Sequence, residues 1–332
     1  MKKVIAFPHK PGSGGPGSFQ RRFEAQLIKE GFNIGYLSNK KLNPDVIFIV
    51  GGTKKIFSLI KWKNKGVPIV YRLDGINWLH KVRKAKQNTF KNFFRSELIN
   101  LNNKIIHGYL ADFIVYQSEF VKKWWNIKGF KKRNDYAIIN NGVDLKKFKP
   151  ASENPFFQKL VILEGLIDYS PYAIELINEL NEEFREELEI YGGIHYQSEK
   201  EKLNKDVNYK GTVEFDKIQN VYSNSIYISL DVNPACPNTV AEALACGAPV
   251  VGFDTGSLKE LLTPKSGICV NYGSNPWNLE YPDSKNLMKA IKKIRLKYKD
   301  YSISAREHAL RNYSIEHMTS KYIQILKNII NG

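Results

Sequence analysis

Pro234–Leu262 reads PACPNTVAEALACGAPVVGFDTGSLKELL and indicates the fold class of this 332-residue chain. The apolar run Ile226–Leu230 just before it predicts a strand, and Pro249–Phe253 within it predicts a second strand. Helical spacing predicts a helix over Asn238–Cys246 between these strands and another over Ser257–Leu262 after them. Strands joined by helices in this way are typical of a parallel, doubly wound sheet.

The same alternation extends through both halves of the chain, with helices such as Phe19–Glu30 and Tyr172–Glu186. Six predicted strands in the first half are Lys3–Phe7, Asn33–Leu37, Val46–Val50, Pro68–Arg72, Phe113–Tyr116 and Tyr136–Ile139. Six in the second half are Lys159–Leu163, Glu187–Tyr191, Val207–Tyr209, Ile226–Leu230, Pro249–Phe253 and Ile268–Val270. We therefore predict an α/β protein with two Rossmann-like domains facing each other across a cleft, and ligands at the carboxyl ends of the strands.

A turn-rich segment punctuated by prolines, Asn140–Pro155, separates the two sets of strands. A chain of this length exceeds what one hydrophobic core usually organises. The segment therefore predicts a boundary between a first domain, residues 1–150, and a second domain, residues 151–313.

The quoted stretch also contains a candidate nucleotide site. Asn238 is predicted to cap a helix whose first N–H groups, at Asn238 and Thr239, suit a diphosphate. One turn later, Glu242 has two oxygens that can accept hydrogen bonds from both hydroxyls of a ribose. Thr255 and Gly256 open the next helix toward the same edge. The alternative is an ordinary βαβα unit in which Glu242 caps the helix or is solvated.

Glu242–Val251, EALACGAPVV, resembles the nucleotide-sugar signature of retaining glycosyltransferases of family 4, which have the GT-B fold. The resemblance implies that the second domain binds a nucleoside-diphosphate sugar. It also implies hexosyl transfer to a glycan or lipid-linked acceptor with retention of anomeric configuration and no side-chain nucleophile. The family has a glutamate where this chain has Pro234, and it has an arginine and a lysine that are absent from Glu164–Ser170. Other cations, a divalent metal or helix N-termini would then neutralise the leaving diphosphate.

Other segments resemble the family in the same order along the chain. Asn141 lies in a segment similar to the family's interdomain Asn-Gly segment, which implies a place near the diphosphate. Gly192 matches the glycine turn after the second strand of the donor domain, and Lys210 and Gly211 match the loop beside the base. The closing segment resembles the family's last helices, which implies that residues 314–332 pack back onto the first domain.

Gly12–Gly17 follows the first predicted strand and satisfies the pattern G-x-G-x-x-G. Binding of NAD would also require an acidic residue at the end of the second strand, and Tyr36–Lys40 has none. We therefore expect Gly14 and Gly15 to let the backbone approach a negative group such as a diphosphate. A plain flexible loop is the alternative.

Tyr71–Gly75 follows the fourth predicted strand and resembles the family's loop that faces the donor. Arg72 is predicted to offer a bidentate fork to phosphate, and Asp74 to orient an acceptor hydroxyl as a base. A structural Arg–Asp pair is the alternative. His80 is a candidate for the lining of the cleft, and Ser118 for contact with phosphate or acceptor.

Positive charge is concentrated in the first half of the chain. Residues 1–150 contain 30 Lys+Arg and 9 Asp+Glu, a net +21, whereas residues 151–332 contain 20 and 24, a net −4. Two stretches, Lys81–Phe94 and Lys122–Trp125, mix cations with large aromatic residues. These features favour docking on an anionic membrane surface or binding of a lipid-linked acceptor. A solvated helix with core aromatics and, less favoured, a single-stranded nucleic acid are the alternatives.

The three cysteines have no C-x-x-C spacing and no clustered histidines beside them, which argues against a zinc site or a disulfide framework. The apolar run before Pro8 is too short for a signal peptide, and no stretch approaches the roughly 18 apolar residues that suggest a membrane span. We therefore predict a cytoplasmic protein, peripheral at the inner face of the membrane, that requires no cofactor and has no dedicated metal ligands. A divalent metal is left open.

Two other function classes fit the same architecture. A non-catalytic nucleotide-sugar-binding protein would explain Pro234 and the absent phosphate cations. A nucleotide-sugar epimerase would share the two-domain arrangement.

Overall fold

The structure is a computed structural model that describes residues 2–12, 14–82, 90–133 and 135–331. The chain divides into two compact units. Unit 1 comprises residues 1–141 and 315–332, and unit 2 comprises residues 142–314. The boundary therefore lies within the turn-rich segment, nine residues before the predicted position.

Unit 1 contains a six-stranded, all-parallel sheet in the order β2-β1-β3-β4-β5-β6. Its strands are β1 (Val4–Phe7), β2 (Asn33–Tyr36), β3 (Val46–Val50), β4 (Ile69–Leu73), β5 (Phe113–Tyr116) and β6 (Tyr136–Ile138). Its helices are α1 (Gly14–Lys29), α2 (Ile56–Lys63), α3 (Phe90–Ile105), α4 (Glu119–Ile127) and α12 (Ile315–Asn331), and a π-helical turn, Ile106–Leu110, continues α3.

A cluster of aromatic rings joins α1 and α12 to the sheet of unit 1. Phe23 of α1 packs against Phe48 of β3 with 4.9 Å between ring centroids, and against Tyr322 of α12 at 5.0 Å. All three side chains are fully buried. Such rings bury large apolar areas, so the last helix contributes to the core of the first unit, as the sequence predicted for residues 314–332.

Unit 2 repeats the architecture with a second six-stranded parallel sheet in the order β12-β11-β10-β7-β8-β9. Its strands are β7 (Lys159–Leu166), β8 (Leu188–Gly193), β9 (Tyr209–Gly211), β10 (Ser225–Ser229), β11 (Val250–Phe253) and β12 (Gly267–Val270). Its helices are α5 (Ala173–Phe184), α6 (Gln197–Lys200), α7 (Ile218–Tyr222), α8 (Asn238–Ala245), α9 (Leu258–Leu261), α10 (Ser284–Leu296) and α11 (Tyr298–Asn312).

The predicted α/β class with two Rossmann-like domains is confirmed. Strand β7 ends three residues later than predicted, at Leu166. Among the strand starts, β9 differs most: it begins two residues later than predicted, because Val207 and Tyr209 first form backbone turns with Asn204 and Val207, respectively. Helix α1 begins at Gly14 rather than Phe19. Pro16 is compatible with the first turn of a helix, where its missing N–H would have no intrahelical acceptor.

Candidate functional site

Two loops at the carboxyl edge of the sheet in unit 2 are joined by hydrogen bonds. One loop follows β10 and the other follows β11. The N–H of Ser257 donates to the carbonyl of Pro234 at 2.9 Å, and the N–H of Asn233 donates to the hydroxyl of Thr255 at 3.3 Å. These bonds bring the two halves of the quoted stretch together, as expected for neighbouring parallel strands whose carboxyl ends share one edge.

Gly256 is required for this close approach. Its φ is +59°, and a Cβ at this position would lie 2.3 Å from the backbone nitrogen of Pro234. Any side chain would therefore separate the loops or distort the backbone. Pro234 is thus part of the contact between the two loops.

Helix α8 starts at Asn238, so the prediction that Asn238 is its N-cap is wrong. Pro237 occupies the cap position, because its φ of −68° and ψ of 127° are extended. The hydroxyl of Thr239 accepts a hydrogen bond from the phenol of Tyr227 at 3.0 Å. Asn238 is consequently the first helical residue, and its side chain is not used to cap the helix.

Three side-chain atoms around these loops are buried and find no hydrogen-bond partner among the described residues. They are the amide nitrogen of Asn233, the amide oxygen of Asn238 and the hydroxyl of Ser257. Buried polar atoms are rarely unsatisfied in proteins, and those that are call for a partner such as a water, an ion or a bound group. The sequence analysis did not select Asn233 or Ser257, although both flank residues that it did select.

Glu242 lies one turn into α8 and is only 5% exposed. Its carboxylate is close enough to Tyr222 and Cys246 to help raise the pKa of both groups, although burial is the larger cause. The pKa of Cys246 reaches about 12. The group predicted to bind a ribose is therefore a buried carboxylate. In such an environment its hydrogen bond to a neutral hydroxyl group is stronger than in water.

Glu164, near the end of β7, and Asp231, just after β10, are two carboxylates close enough to interact. Glu164 of β7 accepts a hydrogen bond from the N–H of Leu230 at 3.2 Å, and its pKa is raised well above the ordinary value by burial and then by the charge of Asp231. Burial raises the pKa of Asp231 to about 6. Within the described ranges, no group of three or more His, Cys, Asp or Glu side chains could hold a metal ion.

Asp231→Asn should increase the free energy of unfolding at pH 8 by about 1–2 kcal/mol. This value is smaller than the whole pKa shift of Asp231 would give, because the side chain is only half-buried and solvent screens its charge. The folded-state pKa is above the unfolded value of about 3.9, so the wild type loses stability as the pH rises from 4 to 6. Urea unfolding at pH 4 and pH 8 measures this difference. The exposed Glu153→Gln is the control, and an equal effect of Asp231→Asn at both pH values would contradict the prediction.

Three predicted donor contacts lie on strands β8 and β9, away from α8. They are Gly192, Lys210 and Gly211. A Cβ at Gly192 would lie 2.3 Å from the carbonyl oxygen of Glu164, so this glycine allows β8 to pass close to β7. Lys210 is exposed on β9, the strand at the edge of the sheet. Two strands, β7 and β8, separate β9 from β10, so the structure does not bring Lys210 and Gly211 into contact with α8.

In unit 1, Arg72 is a buried member of a hydrogen-bond network. One arm of its guanidinium contacts Asp74 at 2.8 Å, the other donates to Asn141 at 2.6 Å, and its central carbon lies 3.7 Å from the ring centre of Phe19. Arg72 is 1% exposed. The structural Arg–Asp pair is therefore present, and Arg72 would have to release Asp74 or Asn141 to bind a phosphate bidentately.

Gln117 completes the network, and the sequence analysis missed it. Its amide nitrogen donates to Asp74 at 2.5 Å and to the carbonyl of Leu73 at 2.7 Å. Its amide oxygen accepts a bond from Asn141 at 3.2 Å. Its position directly after β5 was the available signal, because the carboxyl ends of β4 and β5 are adjacent in a parallel sheet.

The other carboxylate oxygen of Asp74 faces Gly51, which follows β3. Gly51 has a φ of +72°, and a Cβ there would lie 2.3 Å from this oxygen. Because Gly51 has no side chain, this oxygen of Asp74 is not displaced or covered there. The Asp74 side chain is 24% exposed. Gly14 and Gly15 lie in the first turn of α1, where a Cβ would meet no described atom within 4 Å.

The structure gives three other predicted positions a packing or capping role. His80 is buried, bonds to Glu97 at 2.5 Å and packs edge-on against Phe93. Ser118 is the N-cap of α4, and its hydroxyl accepts from the N–H of Val121 at 3.2 Å. Trp124 and Trp125 are buried, so Lys122–Trp125 is not a surface that mixes cations with exposed aromatics. Residues 83–89 of the other mixed stretch lie outside the described residues.

Comparisons with known proteins concern the fold and the family of unit 2. Residues 167–294 match the family model for glycosyl transferases group 1. No curated protein matches the chain at a significant level. Sucrose-phosphate synthase from Thermosynechococcus elongatus is structurally similar, with a TM-score of 0.74, 15% identity and coverage of 99% of this chain and 100% of that chain.

Two further solved structures resemble the whole chain. Anabaena HepE in complex with UDP and glucose has a TM-score of 0.68, 14% identity and coverage of 99% of this chain and 100% of that chain. A glycosyltransferase from Rickettsia africae has a TM-score of 0.69, 16% identity and coverage of 99% of both chains. The resemblance to GT-B glycosyltransferases predicted from the sequence is confirmed for the fold, and the family match covers most of unit 2.

Proposed function

We propose that this protein is a retaining glycosyltransferase of the family-4 type that moves a hexosyl group from a nucleoside-diphosphate sugar to a glycan or lipid-linked acceptor. The observation that carries the proposal is the pair of joined loops in unit 2. They place unsatisfied polar atoms of Asn233, Asn238 and Ser257 beside the start of α8, and Glu242 follows one turn later. Unit 2 is proposed to bind the donor and unit 1 the acceptor.

The amino end of α8 supplies the diphosphate site in this proposal. The first N–H groups of a helix have no intrahelical acceptor, and the helix dipole places partial positive charge there. Asn238 and Thr239 are the first two residues of α8, and Thr255 and Gly256 lie in the loop that contacts Pro234. Main-chain donors can thus neutralise part of the charge that the family's absent arginine and lysine would neutralise.

Glu242 is proposed to accept hydrogen bonds from both hydroxyls of the donor ribose. Gly192, Lys210 and Gly211 remain proposed contacts to the donor from the β7–β9 side of the sheet. HepE is described with UDP and glucose, so UDP-glucose is the first donor to test.

In the transfer step, the acceptor oxygen forms a bond to the anomeric carbon, and the bond from that carbon to the diphosphate breaks. The acceptor proton passes to the leaving diphosphate oxygen. Asp74 orients the acceptor hydroxyl, since its side chain is partly exposed and Arg72 and Gln117 hold it in place. Asn141 positions Arg72, and Gly14 and Gly15 leave open space at the start of α1.

The reaction as proposed needs no cofactor, and a divalent metal is not part of the proposal. The proposed location is the inner face of the cytoplasmic membrane, with the basic first half of the chain toward the lipid. No helix in the described ranges combines the length and the hydrophobicity that a membrane span requires.

Thermal unfolding with UDP-, GDP- and ADP-sugars tests the donor site. We expect the sugar nucleotides of one of these three bases to raise the melting temperature of the protein by several degrees. A ligand at 100 times its dissociation constant stabilises the folded state by about 2.7 kcal/mol. Stabilisation by none of these nucleotides would contradict the proposal.

Nucleotide release with glycan and lipid-linked acceptors then separates the function classes. Release together with a glycosylated product in which the anomeric configuration is kept supports a retaining transferase. Thermal stabilisation without nucleotide release supports a non-catalytic binding protein. The carboxylates of Glu164 and Asp231 favour this alternative, because negative side chains do not stabilise a leaving diphosphate. Formation of an epimer of the sugar nucleotide supports an epimerase.

A further inference from the structure

Helix α3 of unit 1 exposes four large apolar side chains. Phe90, Phe94, Leu98 and Leu101 are 80%, 56%, 54% and 53% exposed, respectively. At about 100° per residue, their positions fall within an arc of about 80° on the helix. We call these four residues the α3 stripe. Asn103, the buried residue of α3, lies on the opposite side of the helix.

Exposed cations border the α3 stripe on both sides. Lys91 and Arg95 lie along one border and Lys104 along the other, by the same helical spacing. The acidic Glu97 near the stripe is paired with His80 and Lys81, the latter at 3.0 Å. An apolar face bordered by cations is typical of helices that lie in the interface of an anionic bilayer.

The net charge of the first half of the chain also favours an anionic bilayer as the partner of the α3 stripe. Residues 1–150 have a net charge of +21, whereas the rest of the chain has −4. Each cation near an anionic leaflet adds about 1 kcal/mol of attraction. A second copy of this chain would bring equal positive borders against each other, so charge complementarity disfavours it as the occupant.

The shape of the α3 stripe also argues against single-stranded nucleic acid. Phe90 and Phe94 pack against each other with 4.5 Å between ring centroids. Leu98 and Leu101 continue the stripe with aliphatic side chains, which offer no flat surface for stacking of a base. The stripe is therefore suited to acyl chains.

We propose that α3 docks the protein on an anionic lipid bilayer, with the α3 stripe at the boundary of headgroups and acyl chains and the bordering cations against lipid phosphates. This docking surface is independent of the proposed sugar transfer. Its test measures binding to vesicles and requires no activity.

The apolar part of the proposal is tested by co-sedimentation of the full chain with vesicles of phosphatidylcholine and phosphatidylglycerol at 3:1. We expect Phe94→Ser to weaken binding at least tenfold. The matched control is Phe156→Ser in unit 2, since Phe156 is 59% exposed and Phe94 is 56% exposed. Equal binding by both variants and the wild type would overturn the proposal, as would failure of the wild type to sediment.

The electrostatic part is tested with a triple variant, Lys91→Gln, Arg95→Gln and Lys104→Gln. We expect at least a tenfold loss of vesicle binding, a similar loss for the wild type in 0.5 M NaCl, and little wild-type binding to pure phosphatidylcholine. The control changes three exposed lysines of α10 to glutamine: Lys285, Lys289 and Lys293. Equal losses in the two triple variants would overturn the proposal.

Measurement of the oligomeric state tests the alternative that a second copy of this chain covers the α3 stripe. Light scattering should show the same mass for the wild type and Phe94→Ser. A wild-type dimer that this variant converts to a monomer would assign the α3 stripe to a second copy and overturn the proposal. Unchanged melting temperatures of the variants would show that losses of binding are not losses of folding.

Discussion

Glu242→Gln should abolish most of the thermal stabilisation that the preferred nucleotide gives and weaken nucleotide binding about 100-fold. Two hydrogen bonds from ribose hydroxyls to a buried carboxylate are charge-assisted, and each contributes about 1.5–3 kcal/mol. The amide has one acceptor oxygen and one donor nitrogen, so it cannot accept from both hydroxyls. Isothermal titration with the nucleotide alone measures the change, independently of any acceptor.

A buried glutamate away from the candidate site provides the control. Glu24 of α1 is 9% exposed and bonds to Gln20 and Tyr36 within unit 1. Glu24→Gln should leave nucleotide affinity near the wild-type value. If Glu242→Gln keeps its nucleotide affinity while its melting temperature without ligand is unchanged, the ribose lies elsewhere.

Arg72→Met should reduce the free energy of unfolding by about 3–5 kcal/mol, because removing one member of a buried ion pair leaves the other partners unsatisfied. Asp74, Asn141 and the ring of Phe19 all contact this guanidinium. The nucleotide affinity of the folded variant should stay within about threefold of the wild type, since both arms of Arg72 are used within unit 1. Denaturant unfolding and isothermal titration measure the two quantities separately.

The exposed Arg21→Met is the control, and we expect it to change stability by less than about 0.5 kcal/mol, as surface substitutions usually do. Arg72→Lys should recover little of the loss, because an ammonium group cannot contact two partners with a planar fork. A stable Arg72→Met variant with greatly weakened nucleotide binding would restore the original prediction of a phosphate ligand.

The strands could be predicted closely because each is a short apolar run bounded by turn residues. Val46–Val50 and Phe113–Tyr116 begin and end where the pattern predicts. Strands buried on both faces of a parallel sheet need continuous apolar sequence, and this requirement is visible without knowledge of their partners.

The site could be predicted only in part. The helix dipole at Asn238 and the acceptor oxygens of Glu242 follow from local sequence. The role of Pro237 as the N-cap depends on backbone angles that the preference of asparagine for cap positions did not predict. Asn233 was missed because its significance lies in an unsatisfied buried nitrogen, which is a property of the packed loop.

The amino-acid sequence alone determined that this protein has two parallel α/β domains, with a helix start and an acidic residue suited to a nucleotide after β10. These features depend on residues close together in the chain. Only the tertiary structure decided that Arg72 is held by Asp74 and Asn141, that Gln117 joins them, and that the α3 stripe faces solvent. The physical reason is that burial and hydrogen-bond partners depend on which distant segments pack together.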